Sequence, residues 1–129
     1  DIRVIQTFAF FTAHNQHKAK QIIQKYNEKF ATQVNAKTIP SAVGVAHAYD
    51  LVHLLAKAIT QAQSTDRQAI QQALEQLPSY QGLVKKYQPA FTPNKHDALT
   101  PDDYHIFTFD NLGYLTQLNS GARAAIINH

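Results

Sequence analysis

The spacing of apolar residues changes several times along the chain, and each change marks an element. From Arg3 to Thr12 β-branched and aromatic residues dominate, and both faces are apolar after Gln6. That pattern predicts a short strand covered on both sides. Ala13 to Gln16 break it, and Asn15 is placed to cap a helix. Ala19, Ile22, Ile23, Tyr26 and Phe30 then recur at helical spacing, predicting a helix from about His17 to Ala31 with Gln21, Lys25 and Glu28 outward. Thr32 to Thr38 is polar and reads as a loop.

Pro40 and Ser41 open a second helix, with Ser41 as N-cap and Val43 to Ala62 as its body. Val45, Ala46, Tyr49, Val52, Leu55, Ala56 and Ile59 form its predicted inner face. Leu51, Leu54 and Ala58 widen that face, so burial on two sides is expected. A third helix, capped by Ser64 or Thr65, runs to about Leu77 and turns Ala69, Ile70, Ala73, Leu74 and Leu77 inward; Pro78 ends it. Gly82-Leu83-Val84 reads as a short strand. Gln88 to Asp103 holds three prolines and no periodicity, a length of loop that is uncommon without a function or a brace. Tyr104 to Phe109 alternates, Asp110 to Gly113 is a turn, and Tyr114 to Leu118 returns, which predicts a hairpin. Residues 119–129 are small and mixed, and read as a tail.

Composition narrows the classes. The chain has 129 residues, 44% of them apolar and only 16% charged. One domain of that size covers about two-thirds of its unfolded surface. No uninterrupted apolar run reaches the roughly 18 residues of a membrane helix. Cys and Met are both absent. The first absence excludes thiol nucleophiles and iron–sulfur clusters. The second, with the abrupt start at Asp1, leads to the expectation of a processed or excised piece of something longer. The net charge is +3, but Lys18, Lys20, Lys25, Lys29, Lys57, Lys85 and Lys86 are spread along the chain. Nucleic-acid binding usually needs a clustered basic face, so it is not expected.

Chemistry-bearing motifs are few. His14 and His17, like His47 and His53, lack the converging third ligand that a zinc site needs. His96-Asp97 in the Pro-rich loop could resemble an acid/base pair, but adjacent loop residues seldom point together; a turn-forming Asp97 and an exposed His96 are the simpler reading. Glycines at 44, 82, 113 and 121 build neither a nucleophile elbow nor a phosphate loop. No enzyme motif, metal or cofactor is expected. The loop after the first strand is more suggestive, because ligands of open α/β folds bind beyond the carboxyl ends of strands. Phe11, Thr12, His14 and Asn15 offer a ring, a hydroxyl, an imidazole and an amide there. The competing reading makes Phe11 core and Asn15 a cap.

The order of these pieces resembles a known family. Ile22, Tyr26 and Phe30 come after a strand; a Tyr49-Asp50 helix runs from Ala48 to Ile59; Gln61 to Asp66 and a short helix come next. Tyr80-Gln81-Gly82, the Lys86-to-Leu99 run and the Asp110-to-Gly113 turn complete the series. This is similar to the C-terminal part of type I periplasmic solute-binding proteins of ABC importers. The nearest branch is the Leu/Ile/Val-binding group with its amide- and aromatic-acid-binding relatives.

The resemblance implies an α/β fold, a fragment of a two-lobed architecture with three helices, a first crossover strand and a C-terminal hairpin. Residues 1–118 would be the C-terminal portion of such a protein. It implies capture of a small polar solute in the periplasm or another extracytoplasmic space, a permease partner, and ligand contact at Thr12 to Asn15. Tyr49 and Asp50 would pack within the lobe. An extracellular sensor domain of a receptor, or a free-standing α/β interaction module, are the alternatives. Uncovered apolar surface on such a piece would drive homo-oligomers.

Overall fold

The structure, a computed structural model, describes residues 2–118; the predicted tail at 119–129 lies outside them. It is an α/β arrangement of three helices with a three-stranded sheet and a two-stranded ribbon. In chain order come β1 (Val4–Gln6), α1 (Gln16–Phe30), α2 (Ala42–Ala62), α3 (Arg67–Glu75), β2 (Tyr80–Gln81), β3 (Lys86–Tyr87), β4 (His105–Phe109) and β5 (Leu115–Gln117). The sheet order is β1-β4-β5, antiparallel throughout. Val4 stands opposite Phe107, and Phe107 opposite Gln117. The first strand therefore closes onto the terminal hairpin across the three helices.

The predicted strand over 3–12 is corrected to three residues. Thr7, Phe8, Ala9 and Phe10 are all buried in succession, which an alternating strand cannot achieve. The chain instead curls into a 3-10 turn at Phe10–Thr12, and the Phe8 and Phe10 rings meet edge-on at 5.0 Å. Nor is β1 covered on both sides, since Ile5 is 67% exposed.

Helix α1 begins where Asn15 caps it, its side chain accepting the Lys18 N–H at 2.9 Å. Ala19, Ile22, Ile23 and Tyr26 face the core, while Phe30 stays largely exposed. Ser41 occupies the N-cap position of α2, but with left-handed backbone (φ 51°) and no capping hydrogen bond. Asp66, not Ser64 or Thr65, caps α3: its carboxylate accepts the Gln68 and Ala69 N–H groups, both at 3.0 Å. Gly82 to Val84 is not a strand but the turn joining β2 and β3, closed by Gly82 N–H donating to the Lys85 carbonyl.

The largest correction concerns α2. Its buried positions are Ala46, Asp50, Leu54 and Ala58, an i, i+4 series, whereas Val52 and Leu55 of the predicted inner face are exposed. An 18-residue window of this helix reaches mean hydropathy 1.2, so by length and composition it could cross a membrane despite its polar interruptions. Two small apolar clusters lie along it. One joins Phe8, Phe10, Ala19, Ala46 and Leu83; the other joins Leu54, Ala58, Ala73, Leu77 and Tyr87. Asp50 sits one helical turn from each, between Ala46 and Leu54, and is fully buried.

The burial of a carboxylate there is resolved by the β2–β3 turn. Leu83 N–H donates to Asp50 Oδ1 at 2.6 Å, Val84 N–H to Oδ2 at 2.9 Å, and the Tyr87 hydroxyl to Oδ2 at 2.9 Å. A buried charge is tolerated when donors converge on it in this way. Asp50 thus fastens the hairpin to α2, in keeping with the packing role expected of the Tyr49-Asp50 pair.

Candidate functional site

Beside the fastened hairpin the chain leaves a cavity of about 410 Å³. Three segments far apart in sequence build it: residues 7–14, residues 84–86, and residues 102–105 with Gln117. The first wall is held by local hydrogen bonds. Thr12 donates its hydroxyl to the Ala9 carbonyl at 3.1 Å. The Gln16 amide, at the start of α1, donates to the Ala13 carbonyl at 2.7 Å and the Phe10 carbonyl at 3.3 Å. These bonds hold the 3-10 turn against the helix and leave Thr12 and His14 on the cavity wall. Behind them the buried Thr7 hydroxyl lies 2.7 Å from His47 Nε2 on α2.

The opposite wall carries charge. Lys85 Nζ pairs with the Asp103 carboxylate, which also accepts the Thr100 N–H at 2.6 Å and the Thr100 hydroxyl at 3.1 Å. Partial burial opposes ionisation of Asp103, but Lys85 and the Thr100 bonds outweigh it and hold its carboxyl below the usual range. The side chains of Lys86, Asp102 and His14 make no hydrogen bond or ion pair among the described residues. His105 adds a second imidazole at the rim, its ring edge-on to Phe107. The cavity therefore offers a cation, a carboxylate, hydroxyls and two imidazoles beside the apolar Phe8 and Val84. That set can hold a small dipolar molecule by hydrogen bonds and charge.

The four residues singled out in the sequence divide. Thr12 and His14 line the cavity. Phe11 turns away, its ring edge-on to Phe107 at 6.1 Å, and borders a separate hollow near Lys37 and Leu115. Asn15 is the α1 cap and faces an open groove with His14 and Gln81. Sequence reasoning misses Thr7, Lys86, Asp102 and His105. The signal available is the pair of charge doublets, Lys85-Lys86 and Asp102-Asp103, in a chain where only 16% of residues are charged. His96 is exposed, as the simpler reading of His96-Asp97 has it, and its Nε2 lies 3.0 Å from Glu75 on α3. Among the described residues no cluster of three or more His, Asp or Glu side chains could hold a metal ion.

This architecture has a counterpart among solved structures. The chain superposes on the periplasmic binding protein type 1 from Bordetella pertussis Tohama I with a TM-score of 0.69 and 23% identity, over 90% of its own length. It spans 33% of that protein's length. At that identity the likeness establishes the fold: a portion of the type 1 periplasmic-binding-protein architecture. No family model matches the sequence, and no curated protein does.

Proposed function

We propose that the chain serves in solute capture, as part of an extracytoplasmic solute-binding component of an ABC importer, and that the cavity beside Thr12 and His14 forms one wall of the ligand site. The solute would be a small polar molecule such as an amino acid, an amide or an aromatic acid, delivered to a permease. Binding would proceed by enclosure without chemical change. The observation that carries this reading is the cavity: its walls combine Lys86, Asp102 and His14, none of whose side chains is engaged by another described residue. A carboxylate end would meet Lys86 and His14, and an ammonium or amide end Asp102. The likeness to a periplasmic binding protein type 1 supports the same reading.

Thermal-shift and calorimetric screens of amino acids, amides and aromatic acids test it. At least one should raise the melting temperature, and Lys86→Ala and His14→Ala should each abolish that rise while leaving the unliganded melting temperature unchanged. A hit that both variants still bind, or no hit across all three classes, would overturn the proposal.

A further inference from the structure

Among the described residues that wall the cavity beside Thr12 and His14, two side chains decide its net charge. The walls hold two ammonium groups, Lys85 and Lys86, and two carboxylates, Asp102 and Asp103. These four cancel, and side chains of both types ordinarily keep their charge between about pH 5.5 and about pH 8. The same walls carry two imidazoles, His14 and His105. Imidazole is the side chain that ordinarily gains or loses its charge inside that interval. The cavity wall therefore passes from zero toward +2 as protons bind the two rings. Neither ring is committed through its nitrogens. His14 is exposed and His105 half-buried, and neither side chain makes a hydrogen bond or ion pair among the described residues.

We propose that His14 and His105 make the cavity a pH-dependent anion site: with both rings neutral it takes a net-neutral dipolar solute, and with them protonated it takes a carboxylate-bearing anion. This rests on the reading of the cavity as a solute site. The sign follows from charge. A protonated ring on the wall attracts a carboxylate, so an anion binds more tightly as pH falls, while a neutral solute of the same shape gains little. By reciprocity a bound anion favours protonation of the rings. The other charges facing the rings do not reverse this. Asp102 and Asp103 favour protonation; Lys85 and Lys86 oppose it, and Lys85 is paired with Asp103. On the His14 side, α1 adds His17 and Lys18 in its first turn, and Lys18 Nζ is turned to the Gln81 carbonyl at 3.0 Å. On the His105 side, β1 sets Gln6 opposite and carries no titratable residue, and the Phe107 ring stands edge-on. Behind the wall His47 is engaged by the Thr7 hydroxyl.

Benzoate and benzamide share a ring and differ in charge, and they are the probes. Calorimetry on the full chain should show benzoate binding at least about tenfold more tightly at pH 5.5 than at pH 8, with benzamide changing by less than about twofold. The imidazole proton resonances of His14 and His105 should titrate in that window, and benzoate should move both titrations to higher pH. His105→Gln should reduce the rise in benzoate affinity, and His14→Gln with His105→Gln should abolish it. Glutamine is neutral at every pH and keeps a hydrogen-bonding amide, and circular dichroism checks that both variants fold. Equal benzoate affinity at the two pH values would overturn the inference, as would a rise that survives in the double variant or rings that do not titrate in the window. Failure of benzoate to bind at pH 5.5, where some other solute binds at pH 8, would overturn the inference alone. Failure of every amino acid, amide and aromatic acid at both pH values would overturn the solute-site reading with it.

Discussion

The carboxylate of Asp50 and the Cα of Gly82 approach so closely that a Cβ on residue 82 would run into Asp50 Oδ2, and would stand 2.7 Å from Tyr87 Cε2. The glycine is required by space, because the turn must come close enough for Leu83 and Val84 to donate to a side chain on α2. Gly82→Ala should therefore destabilise the protein by about 1–3 kcal/mol, as overpacking of a filled interior does. Urea denaturation at neutral pH measures it. A variant as stable as the parent would mean that the turn can shift away from α2.

Removing the acceptor should cost more than removing one donor. Asp50→Ala leaves the Leu83 and Val84 N–H groups and the Tyr87 hydroxyl without their partner in the interior, at roughly 3 kcal/mol or more in sum. Tyr87→Phe deletes one bond and keeps the ring between Leu54 and Ala90, at about 1 kcal/mol. The ranking of the two variants in the same denaturation experiment is the test, with Asp50→Ala expected well below Tyr87→Phe.

The same cluster sets an alkaline limit. Burial, then the charges of Asp50 and Tyr49, push the Tyr80 phenol up to about 12; burial and Asp50 push Tyr87 higher still. A phenol whose folded pKa is raised contributes stability that is fully present below its unfolded value near 10, and loses it as pH rises toward the folded value. Stability should thus fall between about pH 10 and pH 12. In a titration followed by phenolate absorbance, Tyr80 and Tyr87 should ionise above the usual phenol range, together with unfolding. Tyr80→Phe should reduce the slope of stability against pH in that window.

Much of this fold is legible from spacing, and the failures have physical causes. Helix α1 and the terminal hairpin can be read because each has one face toward the core and clear punctuation: Asn15 at one, Asp110 to Gly113 at the other. Gly113 there has φ 81°, which its turn demands. The inner face of α2 escapes the pattern because its most buried polar position is Asp50, which hydrophobic spacing places outside; only the distant hairpin explains it. Val52 and Leu55 then fall outward with the rotation of the helix. Residues 7–10 read as strand because burial of four successive residues looks the same as a two-sided strand. In the candidate site Thr12 and His14 follow from their place after β1. Lys86, Asp102 and His105 come from other segments, and only tertiary folding brings them there.

Two helix ends offer a gain in stability. Ala31 ends α1 and Gln63 ends α2, each in the left-handed region, with φ 51° and 47°. A Cβ is penalised in that conformation and glycine is not. Ala31→Gly and Gln63→Gly should each stabilise the protein by about 0.5–1 kcal/mol after glycine's greater unfolded entropy is counted. The two sites lie at different helix ends, so the double variant should be additive in thermal denaturation.

The cavity wall supplies an acid-side prediction. Asp103 bonds to Lys85 and to the backbone and hydroxyl of Thr100, which together keep its carboxylate ionised below the usual range despite burial. A carboxylate with a lowered folded pKa contributes stability that is present above its unfolded value, near 4, and disappears as pH falls through the folded one. Asp103→Asn should cost about 1–2 kcal/mol at neutral pH, because the charge-assisted bond from Lys85 is lost. As the pH drops below about 4 the parent loses the same bond by protonation, so the two stability curves should converge there. Lys85 carries the complementary test. Freed from Asp103 in the variant, its ammonium becomes a second cation beside Lys86 on the cavity wall. A carboxylate-bearing solute that raises the melting temperature of the parent should therefore raise that of Asp103→Asn further at pH 7. Weaker stabilisation of the variant by that solute would show that the pair holds the wall in shape and does not merely mask its charge.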